Sequence, residues 1–325
     1  MNENIATNQR VRLLADVAEM YYLEGLNQSQ IADRIGVTRS MVSRMLADAR
    51  ERGIVEFRIH RPLTFDSDLS ERLKRRYKLK GVWVVVLDQA GQDDVLRQVG
   101  FGAARALAEL LEPDSILGLA WGTFIRATVD AFELPAPMPN VRIVQLVGAG
   151  DSRIRDYDGH AIVGRMAQLI GGEGIYLNAP IMVENAEGAQ SLLESKTIRE
   201  TIALARKCDL ALLGVGSTQP RYSTFFHSGY FSMDDLNKLR KDNAIGNVCG
   251  MHFTMEGHPT SLDFQQRLVT ISQDELFAIG NRLGVAGGAG KVEPLLGALR
   301  GGYINLLVTD NHAAASLLEL SAGTN

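Results

Sequence analysis

A chain of 325 residues exceeds the usual size of one domain, so two domains are expected. Its 46% hydrophobic and 22% charged residues are ordinary for a globular fold, and a net charge of −4 excludes a surface that grips nucleic acid everywhere. No apolar run approaches the ~20 residues that cross a bilayer, no basic-then-apolar leader opens the chain, and Cys208 and Cys249 form no metal or redox pair. The expectation is a cytoplasmic protein with no membrane partner, no metal and no cofactor.

Charge is unevenly spread. Residues 1–80 hold 15 Lys and Arg against 11 Asp and Glu, while the remainder holds 19 against 27. A basic head on an acidic body suits a protein that meets phosphates at one end only. Apolar residues at helical spacing predict a first helix over 9–24, with Val11, Leu14, Ala15, Ala18 and Tyr22 on one face. Asn27 caps a short helix, 28–35, that Gly36 stops. Thr38 caps a third, 39–52, closed by Gly53.

Within this stretch Ala32 is small enough for two helices to cross, and Gly36 supplies the turn. Ile31, Ile35, Val37, Val42, Met45 and Leu46 form the buried seam. At about 100° per residue, Arg39, Ser40, Ser43 and Arg44 face outward near the start of the third helix. That end enters the major groove in helix-turn-helix motifs. Arginine can bridge guanine O6 and N7, and hydroxyls reach base edges or phosphates. Gln28, Thr38, Arg39, Ser40, Ser43 and Arg44 are therefore the candidate contacts to operator DNA. The plainer alternative is a helical hairpin for protein contacts with its arginines solvated. Agreement of the small residue, glycine, seam and outward set favours DNA.

Residues 54–60 alternate like a strand, Arg61-Pro62 break it, and 66–77 reads as a charged connector helix. The expected domains are a helix-turn-helix unit at 1–61, a connector at 62–80 and a larger domain at 81–325. Beyond residue 80, apolar runs at 82–87, 116–119, 141–147, 174–177, 210–215, 268–271, 285–286 and 304–308 alternate with helical stretches. Such a pattern predicts a Rossmann-like α/β domain with a parallel sheet covered on both faces. Its ligand belongs at the carboxyl ends of the strands, where loops 121–124, 148–158, 178–187 and 216–230 gather.

There, Gly122-Thr123 opens a helix and can present N–H groups and a hydroxyl, and Lys291 follows a glycine-rich turn. Asp310 can accept from ligand hydroxyls, and Gln145 can donate or accept. Each has a bland alternative: Asp310 as a helix cap, Lys291 as a surface lysine, the glycines as plain turns, Trp121 as packing. The six histidines show no metal-ligand spacing.

The runs Gly118-Leu119-Ala120-Trp121-Gly122-Thr123, Leu210-Ala211-Leu212-Leu213-Gly214-Val215-Gly216-Ser217 and Gly246-Asn247-Val248-Cys249-Gly250 come in a telling order. Val285-Ala286-Gly287-Gly288-Ala289-Gly290-Lys291 and Leu306-Leu307-Val308-Thr309-Asp310 complete it. With the helix-turn-helix in front, the chain from about 10 to 320 resembles the SorC/DeoR-type bacterial sugar-responsive transcriptional regulators. The resemblance implies an effector domain related in fold to sugar-phosphate isomerases and deaminases. It also implies a sugar, polyol or sugar-phosphate effector, and a homo-oligomer, often a tetramer. Gly122, Thr123, Phe124, Gln145, Gly216, Asp263, Lys291 and Asp310 are the expected effector contacts. Where phosphate-binding members carry two adjacent hydroxyl residues after the glycine, this chain has Thr123-Phe124, which turns the expectation toward an unphosphorylated ligand. The competing reading is an isomerase or deaminase with an appended DNA-binding module, using Asp263, Glu256 or Asp310 as base. No spacing among them demands catalysis.

Overall fold

In the computed structural model, which describes residues 2–55, 63–88, 91–150, 158–260 and 263–322, the chain divides into two units, Met1–Pro62 and Leu63–Asn325. The smaller unit holds α1 (Asn2–Tyr22), α2 (Gln28–Ile35) and α3 (Arg39–Glu51). Leu14, Val17 and Ala18 of α1, Ile31 and Ala32 of α2, and Val42, Leu46 and Ala49 of α3 make its core. Ile35, Val37 and Met45 pack at the edge of that core, so the expected seam is present. The first helix differs in phase. Val11 is exposed and Val17 is the buried residue, because the face turned to α3 follows Leu14 rather than Val11. Most of the strand expected over 54–60 lies outside the described residues.

The larger unit begins with α4 (Ser67–Tyr77), β1 (Gly81–Val85), α5 (Gln92–Leu110), β2 (Ile116–Leu119), α6 (Thr123–Asp130), β3 (Arg142–Gln145), α7 (Gly159–Ile170) and β4 (Glu173–Ile175). It continues with α8 (Ala186–Glu194), α9 (Lys196–Ala205), β5 (Leu210–Gly214), β6 (Gly216–Ser217), α10 (Thr224–His227), α11 (Met233–Lys241), β7 (Gly246–Val248) and β8 (Met251–Phe253). It closes with α12 (Gln273–Ala278), β9 (Asn281–Val285), α13 (Val292–Arg300), β10 (Leu306–Asp310) and α14 (Asn311–Ala322). Seven strands form one wholly parallel sheet in the order β1-β10-β9-β5-β2-β3-β4. Every residue of β2 and β10 is buried, as expected of strands covered on both faces.

The order carries the functional clue. From β2 the chain winds to one side through β3 and β4, then returns to place β5, β9 and β10 on the other. The reversal lies between β2 and β5, and ligands of open α/β sheets bind at the carboxyl ends of strands at such a point.

Helix α4, expected as a connector, packs on β1 and α14, and the Tyr77 hydroxyl donates to the Leu317 carbonyl at 3.1 Å. A second sheet, the antiparallel β6-β7-β8, has no counterpart in the apolar pattern, because strands of two and three residues are too short to alternate visibly. The run at 268–271 forms only the isolated bridges Met182 to Leu268 and Val147 to Thr270. The last strand runs two residues later than expected, so Asp310 ends β10 rather than following it.

Candidate effector site and DNA-reading helix

Two caps fix the helix-turn-helix. The Asn27 side chain accepts from the Ser29 and Gln30 N–H groups, and the Gln30 side chain accepts from Asn27 N–H, closing a capping box on α2. Gly36 ends α2 at φ 72°, a left-handed turn that a β-carbon would strain. Thr38 Oγ1 accepts from the Met41 N–H at 3.3 Å and lies 3.0 Å from Ser40 Oγ. Arg39, Ser40, Ser43 and Arg44 are all exposed, and neither arginine forms an ion pair among the described residues. Gln28 is half-buried at the start of α2. Asp48, held below the usual carboxylate range chiefly by its hydrogen bond from Arg52, also pairs with Arg10 at 3.1 Å and ties α3 to α1.

In the larger unit, loops leaving β2, β5 and β9 enclose a cavity of about 450 Å³ and an adjoining pocket of about 40 Å³. Thr123, Phe124, Thr224 and Lys291 line both. Gly122 is the N-cap of α6 and offers no capping side chain, so that helix's first N–H groups keep their capacity to donate. Lys291 is only 9% exposed, and its Nζ lies 3.5 Å from the Tyr222 carbonyl, with no carboxylate beside it among the described residues. Burial alone pushes its ammonium down to about 8. Arg221 and His227 line the larger cavity, and Arg221 lies over the Tyr222 ring. Among the described residues, no carboxylate lines either space.

The smaller pocket adds Asn247, 8% exposed, whose amide makes no side-chain hydrogen bond among the described residues and lies over Gly216, leaving no room there for a β-carbon. Trp121 packs edge-on to Phe225 at 5.2 Å, and its indole is part of an aromatic wall. Cys249, in the turn between β7 and β8, also lines the pocket; burial pushes its thiol up to about 12, so it stays protonated.

The structure thus brings together Gly122, Thr123, Phe124, Gly216 and Lys291. Three expected contacts lie elsewhere. Both oxygens of Asp310 are committed: Oδ2 accepts from the Gly288 N–H at 2.6 Å, and Oδ1 caps α14 by accepting from His312 and Ala313. Asp310 therefore shapes the glycine loop that carries Lys291 without lining the cavity. Gln145 is buried and donates to the Val147 carbonyl at 2.7 Å; its Oε1 has no partner among the described residues, and it lines neither space. Asp263 is exposed and lines neither. Glu256, the other candidate base, lies on a separate open groove. Sequence reasoning missed Asn247, Tyr222 and Thr224. The signals were the long loop 216–230 and the glycine-flanked run around Asn247, neither of which names a side chain.

Residues 61–319 match the Sugar-bind family model, a sugar-binding domain, and residues 12–66 match a Crp-like helix-turn-helix domain. The chain is 28% identical to the sorbitol operon regulator of Klebsiella pneumoniae over 95% of its own length and 98% of that protein. It is 30% identical to the transcriptional regulator LsrR of Escherichia coli K12 over 94% of each. The crystal structure of full-length SorC from Klebsiella pneumoniae superposes with a TM-score of 0.72 at 27% identity, covering 95% of this chain and 99% of that one. The chain belongs to the SorC family of sugar-binding transcriptional regulators. This SorC-family member is a DNA-binding transcriptional regulator with a sugar-binding domain. Among the described residues, no helix is long and apolar enough to cross a membrane.

Proposed function

We propose that the cavity at the carboxyl ends of β2, β5 and β9 is the effector site, that its ligand is an anionic sugar derivative, first of all a sugar phosphate, and that α3 reads the operator. One observation carries the ligand class: among the described residues, the full charges that line the two spaces are cationic, and Lys291 is buried with no counter-ion beside it. A hydrogen bond to a charged group contributes about 1.5–3 kcal/mol, against about 0.5–1.5 for a neutral one. A single missing hydroxyl at Phe124 therefore weighs less than the unpaired ammonium, and the sequence-based leaning toward a neutral ligand is set aside. The first turn of α6, with Thr123, supplies further donors to an anion. Asn247 supplies both a donor and an acceptor to sugar hydroxyls. Relatives named for a sorbitol operon and for deoxyribonucleosides support a small sugar-based effector.

The mechanism is linkage. The effector binds one arrangement of the regulator better than another, and the spacing of DNA-reading heads in a homo-oligomer follows. The protein acts in the cytoplasm, where its buried thiols remain unpaired. Thermal-shift screening of the full chain against sugars, polyols and their phosphates tests the ligand class. Stabilisation by a phosphorylated sugar, and none by its neutral parent, is expected; the reverse order sinks the anionic assignment. Light scattering of the same sample tests the homo-oligomer, which a monomer mass at working concentration would refute.

A further inference from the structure

Among the exposed residues of the first two turns of α3, Met41 is the one that neither a hydroxyl nor a guanidinium role explains. Met41 is 48% exposed, while Met45, one turn on, packs against the small core. At about 100° per residue, Met41 lies on the flank of the helix opposite Ser43 and next to Arg44, three residues on. Its backbone is held in the first turn by the Thr38 hydroxyl. The side chain therefore projects from the fixed end of the helix that carries Arg39, Ser40, Ser43 and Arg44.

An unbranched thioether is adaptable, polarisable and apolar. The major-groove edge of duplex DNA offers one apolar group, the C5-methyl of thymine, against which apolar side chains make contact. We propose that Met41 is a specificity-determining residue that reads a thymine methyl in the operator. The proposal rests on α3 as the reading helix, and it commits Met41 to DNA rather than to a second protein chain. Burying about one methylene's worth of apolar surface gives roughly a fourfold preference for thymine over uracil, which lacks that methyl.

The test uses the full chain and a duplex enriched by it from a random library, with each thymine replaced in turn by uracil. For the wild type, one replacement in each recognised site weakens binding about fourfold. Met41→Ala binds the thymine duplex about fourfold more weakly and is indifferent to that replacement. Met41→Leu keeps the preference. Met41→Gln, of the same length, loses it and guards against misfolding of the alanine variant. An enriched duplex with no uracil-sensitive position overturns the proposal while leaving α3 as the reader. So does sensitivity that survives in Met41→Ala. A change of oligomeric state in Met41→Ala without DNA, with thymine preference intact, assigns the side chain to protein contact instead. Failure of the wild type to enrich any sequence removes the reading helix and the proposal with it.

Discussion

In the proposed effector site, Lys291 is the residue on which ligand binding is expected to turn. Removing its ammonium from water disfavours the charged form and brings its pKa down to about 8, with burial as the cause. The sign follows directly. Below about pH 8 the amine is charged in the folded protein, and an anionic effector gains from it; above that it is neutral, and the gain is lost. The group titrates near its ordinary value of 10.5 when unfolded, so its burial destabilises the empty protein at neutral pH and ceases to do so as pH rises toward 10.5. An anion beside the amine reverses the shift. Calorimetry at pH 8 in buffers of different ionisation enthalpy is expected to show proton uptake on effector binding, and affinity to fall as pH rises from 7 to 9. Flat affinity over that range would take Lys291 out of the ligand's reach.

Gly290 sets the wall facing that amine. A β-carbon there would collide with the Tyr222 ring, and the Tyr222 carbonyl is the group nearest the Lys291 ammonium. Gly290→Ala must push the 219–227 segment aside, at the roughly 1–3 kcal/mol typical of overpacking. Effector affinity is expected to drop about tenfold or more while the melting transition stays cooperative, as titration calorimetry and scanning calorimetry would report. Unchanged affinity would show that Tyr222 can yield freely.

At the scale of elements, the caps and turns were the legible part. Asn27, Gly36 and Thr38 act through their own neighbours within four residues, so a local sequence states them fully, and the structure places each cap where the residue type demands. Parallel strands were legible because burial on both faces writes a continuous apolar run. Contacts across the sheet were not. Asp310 sits where an acceptor could meet a sugar, yet the structure spends both its oxygens on Gly288 and the start of α14. Nothing in the sequence says that residues 288 and 310 meet. Asn247 was hidden for the same reason: it reaches the pocket only because β7 pairs with β6, two strands too short to leave a pattern.

This double duty gives a separable prediction. Asp310→Asn keeps an amide oxygen to cap α14 and turns a donor toward the Gly288 N–H, so only the tie to the glycine loop is lost. Asp310→Ala loses both. Loss of the cap costs about 1 kcal/mol, so Asp310→Ala is expected to unfold earlier than Asp310→Asn in urea. Both should bind effector weakly, because the loop that carries Lys291 is released in each. If Asp310→Asn binds as tightly as the wild type, the tie to Gly288 has no part in the site.

At the scale of the molecule, a sensor and a reader on one chain imply reciprocity. If effector shifts operator affinity by a coupling of about 1–3 kcal/mol, roughly 5–150-fold, operator DNA must shift effector affinity by the same factor. The net basic charge that suits the DNA backbone lies on the head, so removal of the Lys291 ammonium from the larger unit should leave DNA binding intact. Lys291→Met is accordingly expected to bind operator as the empty wild type does, by gel shift at fixed salt, and to keep that affinity unchanged at effector concentrations that shift the wild type. Arg44→Ala should do the converse, losing operator affinity while calorimetry returns the wild-type effector affinity. The pair separates transmission from folding: a general loss of structure would lower both measurements in both variants. A Lys291→Met protein that still responds to effector would place the controlling ligand in some other part of the larger unit.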